Sequence, residues 1–460
     1  MKKFLKLFVI LFVLLIALSS CGPGANTETD LSPGGSGETS RPSAQEEAPR
    51  EPVALADDDW LSADGNRIVD KDGNTVRLTG LNWFGYNTER LILDGSWGIS
   101  IADTVAEIAS RGFNIIRVPM SVTLINKWTK GEFPVYATVD SRVNPVFKEE
   151  GTLAYLDYFI KCCKDSGVKV MLDIHSVRDS LGAHGLTVWY DISLTTEKYY
   201  AALEFLAGRY KNNDTVVAYD LKNEPHGQPD SGKTIAVWND SEDESSNWKY
   251  VAEQAAKRVL AVNPNALIII EGIESYPKDI KNNNYISIDN SDYYITWWGG
   301  NLRGVKDCPV DLGEFQSKVV YSPHDYGPSV SNQPWFHEGF NYESLTREAW
   351  MDNWLYIHEE NIAPLFVGEW GGPMKEPTMT WMRCFMRLLE EKQLSHTFWC
   401  LNPNSGDTGG LLLDDWKTWD EEKYNFIKAS LWRKDGRFIG LDAQIPLGGN
   451  GMSRTEFYAD

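Results

Sequence analysis

"VVAYDLKNEPHG", residues 216–227, sets an apolar run against an abrupt polar stop. The run has the branched and aromatic content of a buried strand. It ends at Asn223-Glu224-Pro225, and proline cannot donate to a strand ladder and biases its predecessor towards extended geometry. A carboxylate is thus delivered at a strand tip. The same design recurs along the chain in "RLTGLNWFG" (77–85), "NIIRVPM" (114–120), "KVMLDIH" (169–175), "ALIIIEG" (266–272), "KVVYSPHDY" (318–326), "PLFVGEW" (364–370) and "HTFWCLN" (396–402). Segments such as "SIADTVAEIASRG" (100–112) and "TLAYLDYFIKCCKDSG" (152–167) lie between, with apolar residues at helical spacing and glycine stops. Eight strand-like runs alternating with helices predict an α/β fold, a parallel sheet closed as a (β/α)8 TIM barrel. The opening "WLSADGNRIVDKDGNTVRL" (60–78) carries Asp-Gly and Gly-Asn turns and predicts a small N-terminal hairpin capping the barrel bottom.

The C-terminal tips of barrel strands are where active sites are built. Here they carry Arg117 on strand two, His175 on three, Asn223 and Glu224 on four, His324 and Tyr326 on six, Glu369 on seven and Trp399 on eight. Any one of these is more often a structural partner. Six strands converging at one end point to a site. Two carboxylates on opposite walls are the minimum for cleaving a glycosidic bond, one protonated to serve the leaving oxygen and one ionised to attack the anomeric carbon. A nearby cation such as Arg117 favours an ionised Glu369. A drier setting and repulsion from that carboxylate favour a protonated Glu224. Asn223 is placed to bond a sugar 2-hydroxyl. No metal-ligand spacing and no glycine-rich phosphate loop stands out, and no cofactor is expected.

The chain holds 18 Trp and 20 Tyr. Trp83, Trp97, Trp189, Trp297, Trp298 and Trp335 fall in predicted loops, and aromatic faces suit the C–H faces of sugar rings. The paired Trp297 and Trp298 beside Gly-Gly-Asn are expected to resist burial. Trp83 and Trp298 are the candidate platforms, with Trp399.

The ends read differently. Lys2, Lys3 and Lys6 precede an unbroken apolar run from Leu7 to Leu18, too short for a span of about 20 residues and suited to a signal peptide over residues 1–20. "LSSC" ends it in small residues and Cys21, a pattern that resembles a bacterial lipobox, with acylation of Cys21 and anchorage of an exported protein to a membrane. Residues 21–54, rich in Pro, Gly, Ser and Glu, are expected to form a disordered acidic tether. A catalytic domain over 55–435 and an extension over 436–460, packed or loose, complete the division. The formal charge of −21 argues against nucleic-acid or polyanionic partners and suits a neutral substrate. A monomer is expected. Of six cysteines, the five after Cys21 have no disulfide or metal spacing; Cys384 and Cys400 read as small core hydrophobes.

"GLNWFG", "NIIRVP", "LDIH", "NEPHG", "YSPHDY", "GEWG" and "LNPNSGDTGGLLLDDW" (401–416) together resemble glycoside hydrolase family 5, the cellulase-type barrels, over about residues 60–433. The last string, with "YITWWGGNL" (294–302), resembles the bacterial endo-β-1,4-glucanase branch. The resemblance implies a retaining endoglucanase, with Glu224 the acid/base and Glu369 the nucleophile. It places Arg117, His175, Asn223, His324, Tyr326 and Trp399 at the remaining site positions. The same machinery on mannan, xyloglucan or mixed-linkage glucan is the nearest alternative; a non-catalytic glycan-binding lipoprotein would have lost one of the two glutamates.

Overall fold

The computed structural model of the protein describes residues 58–134, 139–144 and 151–459. The leader, Cys21 and the tether lie outside the described residues. Eight parallel strands form the central sheet: β1 (Thr79–Asn82), β2 (Ile115–Ser121), β3 (Lys169–Ser176), β4 (Val216–Asp220), β5 (Leu267–Glu271), β6 (Val319–Ser322 with His324–Tyr326), β7 (Phe366–Gly371) and β8 (Ser395–Phe398). Each pairs in parallel with the next, and β8 pairs with β1. Pro323 splits β6. Its first half pairs with β5 and its second with β7. A bridge between Tyr321 and Leu365 completes the ring. The eight runs of sequence are the eight strands of the barrel.

Strand side chains alternate between faces, and the inward rows climb from apolar to polar. Ile115 leads to Arg117, Met171 to Asp173 and His175, Ala218 to Asp220, and Leu267 and Ile269 to Glu271. The lower members join one buried cluster. The upper members are buried polar groups. In β7, Phe366 belongs to that lower cluster, and a simple alternation would turn Glu369 outward. A register irregularity between Val367 and Trp370 shifts the parity and brings Glu369 in.

The barrel bottom is closed by both ends of the described chain. A three-stranded antiparallel ribbon (Ser62–Asp64, Arg67–Val69, Thr75–Val76) stands where a hairpin was expected. Its Ile68 and Val76 pack with Ile439, Leu441 and Met452 of the C-terminal segment in the same cluster as the lower barrel residues. Residues 436–459 are therefore a packed extension. Beneath this plug lies a buried ionic network. Lys169 Nζ is 2.8 Å from Asp59 Oδ2 and 3.3 Å from Asp442 Oδ2. Arg454 reaches Asp59 at 2.8 Å and Asp70 at 3.2 Å. No described helix is long and apolar enough to cross a membrane. The five described cysteines are unpaired; Cys400 is buried and Cys384 half-buried.

Candidate active site

Arg117 is the hub of the upper barrel. Its guanidinium is fully buried and donates in every direction: Nε to Asp220 Oδ2 (2.9 Å), Nη1 to Asn82 Oδ1 (3.0 Å) and Glu369 Oε1 (2.8 Å), Nη2 to Asn223 Oδ1 (3.1 Å) and Glu271 Oε1 (3.0 Å). Asp173 Oδ2 lies 3.1 Å from Nη2 and also meets His175 Nδ1 at 2.8 Å. Only a planar fork with five donors serves so many acceptors at once.

Glu369 accepts on both oxygens, from Arg117 on Oε1 and from the Tyr326 hydroxyl on Oε2 at 2.7 Å. Glu224 lies beyond the end of β4, with a left-handed backbone (φ 50°) that a residue bearing a Cβ seldom adopts. Its Oε1 is 3.0 Å from His324 Nδ1. One oxygen of Glu224 lies within 4.8 Å of one oxygen of Glu369.

Burial lifts Glu369 to about 7, against the pull of His324 and Arg117. A proton there would have to displace one of its two donors, so the geometry favours the ionised form. At Glu224 burial is outweighed by the hydrogen bond and charge of His324, which hold it below the ordinary glutamate range. His324 itself is raised well above an ordinary histidine: burial opposes its charge, but Glu271, Glu369 and Glu224 surround it. Both directions disfavour a proton resting on Glu224, which a drier setting was expected to favour; His324 Nδ1 lies one hydrogen bond away. His175 is neutral, since burial and Arg117 both disfavour its charged form.

A cleft of about 770 Å³ opens over this pair. The strand-tip residues His175, Glu224, Tyr326, Glu369 and Trp399 line it, together with Trp298. Arg117, Asn223 and His324 do not; each is wholly buried beneath the lining residues, Arg117 and His324 against the carboxylates and Asn223 with its Oδ1 accepting from Arg117. Trp83 is a clear correction. It is buried with its Nε1 donating to Asp94 O at 2.9 Å and its ring against Phe159. Asn82 points inward, so its neighbour points out to the helices, and Phe84 lines the cleft instead. Trp189 is core as well, and Trp297 is buried against Trp335 at 4.9 Å, contrary to expectation.

Two aromatic assemblies flank the pair. Trp399 stacks with Phe84 (5.6 Å, 15°) and with His175 (5.5 Å, 9°), and its Nε1 donates to Ser405 Oγ at 3.1 Å. His175 approaches Glu369 at 4.0 Å, so this group is on the Glu369 side. Trp298 lies flat on His226 at 3.8 Å and 6°. The adjoining Gly299 packs against the Glu224 side chain, where an added Cβ would come within 3.4 Å of Cγ. Asp173, Asp220, Glu271, Phe84, Gln228, Glu274 and Ser405 were not singled out from sequence. Asp173 and Glu271 end or nearly end strand runs with the same apolar-to-charged step as Glu224, and that step was the available signal. A second depression, about 420 Å³ at the barrel bottom, is lined by Asp58, Asp70, Lys71 and Arg454. Its charges pair with one another and it holds none of the strand-tip residues.

A paired carboxylate site in a glycan-sized cleft at the C-terminal mouth of a (β/α)8 barrel defines a glycoside hydrolase. The family model described as cellulase, glycosyl hydrolase family 5, matches residues 69–405. Endoglucanase G of Acetivibrio thermocellus is 46% identical over 433 residues, covering 87% of this chain and 76% of its own. Endoglucanase B of the same organism is 41% identical, covering 99% and 83%. Among solved structures, a cellotetraose complex of the endocellulase from Pyrococcus horikoshii aligns with a TM-score of 0.71 at 31% identity, covering 81% of this chain and 98% of that one. The chain belongs to glycosyl hydrolase family 5, the cellulase family.

Proposed function

We infer that the protein is a retaining endo-β-1,4-glucanase, cutting internal glucosidic bonds of a β-glucan by double displacement. The observation that carries this is the approach of the two carboxylates. Oxygens within 4.8 Å fit the roughly 5–5.5 Å carboxyl separation of retaining enzymes better than the about 6.5–9.5 Å of inverting ones.

Glu369 is the nucleophile. Arg117 and Tyr326 fix both its oxygens and hold it ionised. Glu224 is the acid/base. When a sugar ring displaces water from the cleft, the charged His324–Glu224 pair becomes costlier, and the proton moves along their 3.0 Å bond to Glu224. Glu224 gives it to the departing oxygen while Glu369 attacks the anomeric carbon. In the second half it takes a proton from water, which attacks the glycosyl ester. Asn223, whose buried Nδ2 has no protein partner, supports the 2-hydroxyl from beneath. The Trp399 group, on the Glu369 side, carries the ring that becomes covalently attached. Trp298, on the Glu224 side, carries the leaving chain. The signal peptide, the acylated Cys21 and the tether complete the reading as a lipid-anchored surface enzyme.

Hydrolysis of a panel of β-1,4-linked polysaccharides tests the substrate. The viscosity of carboxymethylcellulose should fall faster than reducing ends appear, and glucans should be cut with higher kcat/KM than mannan. Preference for mannan would overturn the substrate while leaving the chemistry in place.

A further inference from the structure

Glu271, the last residue of β5, does not line the cleft. Its side chain is fully buried. Yet it meets three of the groups that hold the catalytic pair: the Glu224 peptide, Arg117 and His324. Oε2 accepts the backbone N–H of Glu224 at 2.6 Å. Oε1 accepts from Arg117 Nη2 at 3.0 Å, the guanidinium that also holds Glu369 and Asn223. His324, whose other ring nitrogen faces Glu224, presents Nε2 to Oε1 at 3.2 Å. The turn that carries Trp298 leans on it too. Gly272 N–H donates to Gly299 O at 3.0 Å, and a Cβ on Gly299 would come within 2.6 Å of Glu271 Oε2.

Glu224 is the member of the pair that needs such a hold. It lies past the last strand hydrogen bonds of β4, and its left-handed backbone is unfavourable for a residue with a Cβ. Such a conformation persists only where surroundings impose it. The N–H of this peptide donates to Glu271, its Asn223 carbonyl accepts from Lys222 Nζ, and the Glu224 carbonyl meets His226 Nδ1 at 2.7 Å; of these partners Glu271 alone also reaches Arg117 and His324.

We propose that Glu271 is the positioning residue of the acid/base: by gripping the Glu224 peptide, Arg117 and His324 at once, it sets the aim and proton supply of Glu224 relative to Glu369. This rests on the assignment of Glu224 as acid/base. It separates Glu271 from the other buried carboxylates. Asp173 grips Arg117 and His175, and Asp220 grips Arg117 alone; neither bonds the Glu224 peptide. The charged groups facing His324 are Glu224, Glu271 and Glu369 directly, with Asp173, Asp220 and Arg117 around them. Of these, Glu271 alone lies against the imidazole and also bonds the peptide of the residue the imidazole serves.

The test is a comparison of leaving groups in Glu271→Gln and Glu271→Asp. The amide matches the size of the carboxylate but presents an NH2 to the donors Arg117 and His324. The aspartate keeps the charge but shortens the reach to the Glu224 N–H. Cellopentaose needs a proton on its leaving oxygen; 2,4-dinitrophenyl β-cellobioside does not. Competent sites are first counted by burst titration with the activated substrate. Per titrated site, kcat on cellopentaose should fall by about 10²-fold, the scale of a misdirected general acid. Formation of the glycosyl-enzyme from the activated substrate should fall less than about tenfold, since it draws little on the general acid. Equal losses on the two substrates, undiminished turnover of cellopentaose, or no titratable sites in either variant would overturn the proposal. Glu224→Ala is the control. If it shows the leaving-group split and the Glu271 variants do not, positioning by Glu271 is wrong and the acid/base stands. If Glu224→Ala shows no split, the acid/base assignment fails and the proposal with it.

Discussion

At Glu369, burial pulls the carboxyl towards its neutral form while Arg117 and Tyr326 donate to the ionised one. The nucleophile works only when the donors win. Removing a donor from the ionised form raises a carboxyl pKa. Tyr326→Phe should therefore move the acid limb of the kcat/KM profile to higher pH, because more of the enzyme then carries a proton on Glu369 at any given acidity. An unmoved or acid-shifted limb would show that Tyr326 does not support the charge. Single residues were unevenly legible. Glu224 and Glu369 stood out because Asn-Glu-Pro and Gly-Glu-Trp interrupt apolar runs. Trp83 misled because composition favours aromatic residues at a sugar site, while facing depends on parity with Asn82, which is certain only once the strand end is fixed. Glu271 passed as the close of "ALIIIEG" because a buried carboxylate is recognised by its partners, and Arg117, His324 and the Glu224 peptide are 154, 53 and 47 positions away.

Among the elements, the strands were readable because each is a short β-branched run between polar stops, buried on both faces as parallel strands are. The break in β6 was not inferred from sequence, although Pro323 is its visible cause. The C-terminal segment was undecided for a physical reason as well. Ile439, Leu441 and Met452 are too sparse to form a periodic pattern, and they are held by partners far off in sequence. Arg454 is the critical contact of that segment, pairing with Asp59 and Asp70 while almost wholly buried. Removing one partner of a buried ion pair leaves an uncompensated charge, a loss of about 3–5 kcal/mol. Arg454→Ala should thus lower denaturant stability by about that amount, with turnover per folded molecule unchanged because the network lies at the opposite end of the barrel. A change below about 1 kcal/mol, the scale of an exposed pair, would mean that the segment is not tied down through this residue.

For the whole molecule, the barrel places the paired carboxylates at one pole and closure by both ends of the described chain at the other. Asp59, near the start of the described chain, bonds Lys169, the first residue of β3. The chain therefore enters at the pole opposite the cleft. With the leader and tether read as an anchor, Cys21→Ala should move the enzyme from the membrane fraction to the soluble exported fraction; equal retention on membranes would remove the acyl anchor from the account. The central claim is double displacement with Glu369 as the nucleophile, and trapping tests it most directly. A 2-deoxy-2-fluoro β-cellobioside with an activated leaving group should leave a fluoroglycosyl ester on the peptide containing Glu369, seen by mass spectrometry and released slowly with retained configuration. Labelling at another residue, or a first-formed product of inverted anomeric configuration, would contradict it.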